Sequence, residues 1–439
     1  MQVAGEALIA HPPDDGPLSS TTPVIHSVRH GLSMARRNRM SVTDTSASIR
    51  AFAHVASNAM RTVSWSRTVR RGILAATAVL SVSSASMVAA DTTSPGAYTS
   101  TAPMAPRLQW DPNYGYCGET SMIMAGMRFG QYTSQWTARR VASARTNQTL
   151  EASQLLLGVS PPDGNAVTAA AGMRLKLASY DSTGSSSTPD YLAWVKQQFV
   201  RGGIVIMGVL TNANIVGRDG PGDSEYDHIV PVLRITSDQP LDGENVGRYF
   251  PTDTLTLGDL ETPRGNTADN PPGSTLYTYR FDTVQKTRQQ ANRGSGPANL
   301  YSVLKSTGTD GSNYAVAVTG VTDTSPGGPY VIPVALTSSR ISEGLPTRDP
   351  MPTPPRAKSM ALTATVTIPD TGKAYRLYEY TGFKVVPRGN FNAAAAKNPR
   401  HIAHAWDIPA GTGSEYTVHL PHVSTAGTYV FRAVPTSAP

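Results

Sequence analysis

The stretch Trp110-Asp111-Pro112-Asn113-Tyr114-Gly115-Tyr116-Cys117-Gly118-Glu119-Thr120-Ser121-Met122-Ile123-Met124-Ala125-Gly126-Met127 decides how the chain is read. Its first half consists of turn formers and aromatics. Its second half is an apolar, proline-free run closed by Gly130, which predicts a buried helix over residues 120–129 starting near Cys117. Cys117 therefore falls at a helix N-terminus. There, unpaired backbone N–H groups and the positive end of the helix dipole favour a thiolate and can hold a developing oxyanion. It is the single cysteine among 439 residues, so no internal disulfide can form. Its two readings are a small buried hydrophobe and a nucleophile. Gly118 reads either as a turn residue or as room for a substrate backbone beside the sulfur. Trp110, Tyr114 and Tyr116 read either as walls of a substrate cleft or as a packed loop, and Glu119 as a first-turn acid favoured by the dipole.

A nucleophilic thiol needs a base. Of nine histidines, four precede Asp91 and four follow Arg400, which leaves His228 alone in the stretch around Cys117. It stands in Asp227-His228-Ile229-Val230-Pro231-Val232-Leu233, with a polar, Gly-rich loop before it and an apolar run after it. That pattern places the imidazole at a strand end, where a cleft can reach it.

Outward from these two residues the pattern is mixed. Residues 135–145 predict a polar helix. Over 189–200, Leu192, Trp194, Val195 and Phe199 recur at helical spacing, and Gly202-Gly203 ends the helix. The run 204–210 predicts a buried strand, followed by strands over 227–235 and 253–257, an α+β order. Residues 277–314 mix a polar helical stretch with Gly-Ser loops, and 314–321 alternate like a strand. A Pro-rich linker follows at 346–355. Beyond it, alternating segments at 360–368, 373–380, 415–420 and 427–434 predict a small all-β sandwich.

The order of these pieces resembles the papain-like cysteine peptidases, most closely the branch that includes bacteriocin-leader-processing peptidases. Gly115-Tyr116-Cys117-Gly118 enters a helix, a second helix ends at Gly202-Gly203, a hydrophobic strand follows, and Asp227-His228-Ile229-Val230 begins the next. The likeness covers about residues 107–263. It implies a papain-like fold, peptide or protein substrates, and a triad whose third member lies at the end of the next strand, making Asp259 the expected orienting residue ahead of Asp253 and Asp238. It also implies a Gln six residues before the Cys as oxyanion donor. Asp111 holds that place, and an ionised carboxylate cannot donate a hydrogen bond. Asn113, nearer the thiol, is the expected donor ahead of Gln109, with the Cys117 backbone N–H as the second. The departure leaves open a scaffold that binds without turnover.

Composition agrees with a loop-rich globular protein: 39% hydrophobic, 16% charged, and 72 Gly plus Pro. The formal charge of +7 arises at the N-terminus, where residues 1–90 carry nine Arg and four acids, leaving 29 bases against 27 acids. No nucleic-acid footprint is expected in the body of the protein. Arg67, Arg70 and Arg71, the apolar stretch 72–82 and the small residues ending in Val88-Ala89-Ala90 predict a secretory signal over 66–90 and an exported protein. The apolar stretch is too short for a stable membrane anchor. The predicted layout is a disordered or mis-assigned start (1–65), signal (66–90), linker (91–106), catalytic domain (107–345, core 107–263), linker (346–358) and β-sandwich (359–439). No cofactor and no metal is expected: His401-Ile402-Ala403-His404 lacks an acid ligand at a known spacing.

Overall fold

The run Ile204–Thr211 forms the strand at the centre of the fold, and all of its residues are buried. Its alternate side chains feed two different cores. Ile204 and Ile206 join a cluster with Met122, Ala125, Ala169 and Val318, whereas Val205, Met207 and Val209 join Leu192, Val195, Phe199 and Val230. A strand covered on both faces needs this continuous apolar sequence. Each fully buried Val, Ile or Met contributes about 1.5–3 kcal/mol. The computed structural model describes residues 97–104, 107–110, 115–158, 164–180, 187–212, 226–260, 276–287, 299–305, 313–341, 343 and 356–436. The predicted signal at 66–90, the acids and turn formers at 111–114, and most of the Pro-rich linker lie outside them. The chain divides into units 1–86 and 87–439, and every described residue belongs to the second.

In chain order the elements are β1 (Tyr98–Thr101), α1 (Cys117–Arg128), β2 (Gln131–Tyr132), α2 (Gln135–Ala142), α3 (Ala166–Gly172), β3 (Leu175–Ser179), α4 (Thr188–Val200) and β4 (Ile204–Thr211). There follow β5 (His228–Ser237), β6 (Thr254–Gly258), β7 (Leu276–Arg280), β8 (Gln285–Lys286), β9 (Tyr301–Leu304), β10 (Ala315–Val321) and the short hairpin of β11 (Thr324–Ser325) and β12 (Gly328–Pro329). The last six strands are β13 (Val334–Ser338), β14 (Ser359–Thr367), β15 (Tyr375–Tyr380), β16 (Ile402–Ile408), β17 (Glu415–Ser424) and β18 (Tyr429–Pro435).

The expected mixture of helix and strand is what folds. A nine-stranded sheet runs β3-β10-β4-β5-β6-β7, with β1 on β5, β9 on β4 and β8 on β9. α1 and α3 cover one of its faces and α4 the other. α4 begins with a reciprocal cap: Ser187 Oγ accepts the Asp190 N–H, and Asp190 Oδ2 accepts the Ser187 N–H. In the predicted polar stretch after residue 277, the described residues form β7, β8 and β9 instead, with Tyr277, Tyr279 and Val303 buried.

Two further sheets, β13-β14-β17 and β16-β15-β18-β2, share a third core. This corrects the expected boundary between residues 345 and 359. β13 precedes the linker yet pairs with β14, and β2, directly after the Cys117 helix, pairs with β18. Ile123 and Met127 of α1 sit in the same cluster as Leu362 and Phe431. The C-terminal strands therefore complete the back of α1 and share its burial.

Candidate active site

α1 starts at Cys117, as expected, and its N-cap Tyr116 makes no side-chain cap. The thiol is half-buried at the edge of β5. On that edge the first β6 partner is Val232, which leaves the earlier peptide groups of β5 to α1. Ser121 Oγ donates to the Ile229 carbonyl at 3.4 Å, and the Ile229 backbone acts to lower the pKa of the Cys117 thiol. Ile229 directly follows His228. His228 is 6% exposed, and its ring stacks on Tyr301 at 5.7 Å and 29°. Before it, Asp227 Oδ2 accepts the Thr211 N–H at 2.8 Å, fixing the end of β5 against β4.

The sulfur's electrostatics run against the dipole expectation. Burial pushes the Cys117 thiol up to about 12, and the Glu119 carboxylate pushes in the same direction. The amides of Ile229 and Gly118 and the Arg139 guanidinium act oppositely but do not prevail. At neutral pH the Cys117 sulfur is therefore held as the neutral thiol.

Asp259 follows the last residue of β6, is 3% exposed, and lies toward the His228 end of β5 by the register Val232↔Leu257. The alternatives are placed elsewhere. Asp253 is fully buried and ion-paired with Lys196 at 2.7 Å, and Asp238 is exposed beyond the far end of β5. Gln109 runs beside Asp259: its N–H donates to the Leu260 carbonyl at 2.7 Å. Its side-chain amide nitrogen lies 3.8 Å from where a Cβ on Gly115 would sit, and Gly115 has φ +83°, which only glycine adopts readily. Gln109 is thus the side-chain amide that borders the nucleophile loop among the described residues; Asn113 lies outside them.

Two expected roles change, and a third residue gains one. Trp110 and Tyr116 are 3% and 0% exposed and pack edge to face at 5.1 Å with Trp136 against them, so they brace the loop from inside and form no cleft wall. Gly118 leaves no room for substrate, because a Cβ there would lie 2.1 Å from the Leu155 carbonyl oxygen. The glycine exists for that close backbone approach. Glu119 is a buried ion-pair partner of Arg139 at 2.6 Å, which sequence reading missed. Its signal was an acid placed inside an otherwise apolar helix.

No group of three or more His, Cys, Asp or Glu suited to a metal occurs among the described residues. His404 pairs with Glu379 at 2.7 Å, His401 with Asn398 at 2.9 Å and His419 with Thr363 at 3.0 Å. Comparison of the chain with protein-family models, with curated proteins and with solved structures gives no match.

Proposed function

We propose that the chain is a papain-like cysteine hydrolase of peptide or protein amide bonds, exported by the signal over residues 66–90. The observation that carries this reading is the placement of Cys117 at the start of a buried helix whose Ser121 Oγ bonds, at 3.4 Å, to the carbonyl of the residue next to His228. Cys117 Sγ attacks the amide carbonyl carbon while its proton passes to His228. The C–N bond breaks as His228 returns the proton to the leaving amine, and water then hydrolyses the thioester. Asp259 orients the imidazole. The Cys117 backbone N–H and the Gln109 side chain hold the oxyanion.

The test uses the purified chain with iodoacetamide, with an epoxide of the type that traps papain-like enzymes, and with a casein or peptide-library substrate. Stoichiometric labelling at Cys117, hydrolysis lost in Cys117→Ala, and both slowed at least a hundredfold by His228→Ala are expected. A sulfur that reacts no faster than free cysteine, and no faster than in His228→Ala, rules the reading out.

A second reading is favoured by one observation. A thiol held neutral up to about 12 also suits a secreted binding or surface protein that keeps the scaffold without turnover. Labelling without any hydrolysis across a broad peptide library distinguishes it.

A further inference from the structure

The two residues before Cys117 and the one after it are gripped by a single buried ion pair. Arg139, at the C-terminal end of α2, donates through Nε to Glu119 Oε1 at 2.6 Å and through Nη2 to the Gly115 carbonyl. Its guanidinium carbon lies 3.6 Å from the centroid of the Tyr116 ring, a cation–π contact. The same Glu119 oxygen accepts the Leu155 N–H at 3.1 Å, and the Leu155 carbonyl abuts Gly118. The side chains of Arg139 and Glu119 are 0% and 1% exposed. A pair so desolvated is costly to assemble and strongly felt by any neighbouring charge.

We propose that Glu119 and Arg139 are positioning residues for the Cys117 sulfur, fixing the loop around it and acting on it with opposite charge. The proposal rests on Cys117 as the nucleophile of the preceding section. Glu119 opposes a thiolate and Arg139 favours one; on the neighbouring strand His228 opens β5, with Asp227 directly before it. Burial keeps the sulfur protonated at rest, Glu119 adds to that effect and Arg139 works against it, so attack depends on a base.

Alkylation of the full chain by iodoacetamide between pH 7 and 9 reads this directly, because Cys117 is the only cysteine. Rate in that range follows the thiolate fraction, so a shift of about one pH unit is a tenfold rate change. Glu119→Gln keeps an acceptor without the charge and is expected to raise the rate about tenfold. Arg139→Met is expected to lower it by a similar factor. Glu119→Asp keeps the charge with a shorter reach and is expected to stay within about twofold of the parent. Equal acceleration by Asp and Gln means mere loosening of the loop and overturns the proposal, as does an unchanged rate in Gln. If Glu119→Gln does not fold, the parent protein decides. An S–H stretch that persists in the Raman spectrum to pH 9 supports the proposal, and its loss near the ordinary thiol range of about 8.5 overturns it. Alkylation needs no turnover, so a chain with no hydrolase activity still reports on the pair.

Discussion

At the scale of single residues, the loop around Cys117 is governed by close approach. Gly118 stands where any Cβ collides with backbone, and a carbonyl cannot swing aside like the end of a flexible side chain. Gly118→Ala is expected to destabilise the fold by about 1–3 kcal/mol, read from the midpoint of a urea titration. The two buried acids at opposite ends of β6 separate structure from chemistry. Asp253→Asn strands the Lys196 ammonium in the interior and is expected to cost about 3–5 kcal/mol. Asp259→Asn is expected to leave the melting temperature within a few degrees while lowering kcat at least tenfold, because it changes the imidazole's orientation and tautomer. Equal thermal losses in both variants would place Asp259 among the structural acids.

Among elements, what the sequence revealed follows the length of the local pattern. α1, α4, β4 and β5 were legible because each carries its own periodicity and its own stop signal. The histidine census singled out His228, which stands beside Ile229 on the strand that α1 packs against. α3 was not legible: in Ala166-Val167-Thr168-Ala169-Ala170-Ala171-Gly172 small or apolar residues lie on every side, so no face stands out, and the helix forms where Ala166, Ala169 and Ala170 pack into the core. Trp110 and Tyr116 stayed open between cleft wall and packed loop because an aromatic beside Cys117 has the same sequence whether it faces inward or outward. The Glu343 contact was also invisible, since its partners are distant in sequence. Glu343 accepts the N–H of Gln135 at the start of α2 at 2.9 Å and pairs with Arg107 at 3.4 Å, two residues before Gln109. Burial raises its carboxyl from 4.5 to about 7, with Arg107 opposing. The folded chain therefore holds a proton that the unfolded chain releases between those values. This contribution to stability is complete below pH 4.5 and is lost as pH rises to about 7. Thermal melts across that window should fall with rising pH, with a shallower slope in Glu343→Gln.

For the whole molecule, the C-terminal strands are part of the frame that holds the Cys117 helix. α1 has one flank on the large sheet and the other in the core of the two smaller sheets. Arg432 on β18 adds a buried tie, bonding Asp323 at 2.8 Å and Gln131 at 3.0 Å. Asp323 in turn binds Arg174 at the start of β3. A chain cut after residue 345 loses β14 to β18, exposes Ile123, Met127 and Tyr132, and leaves Asp323 without one of its two arginines. It is expected to be insoluble or to lack a cooperative melt, whereas a separable appended domain would leave the remainder folded with Cys117 reactivity intact. The pairing of the two-residue β2 with β18 carries no sequence signature, which is why the linker looked like a boundary.

The neutral, half-buried thiol has a chemical consequence away from catalysis. Peroxides oxidise the thiolate far faster than the thiol, and sulfinic and sulfonic products are not readily reversed. A thiol kept as S–H at the start of a buried helix is spared that attack. With no second cysteine in the chain to reverse a sulfenic acid as a disulfide, resistance to the first oxidation is the protection this sequence provides.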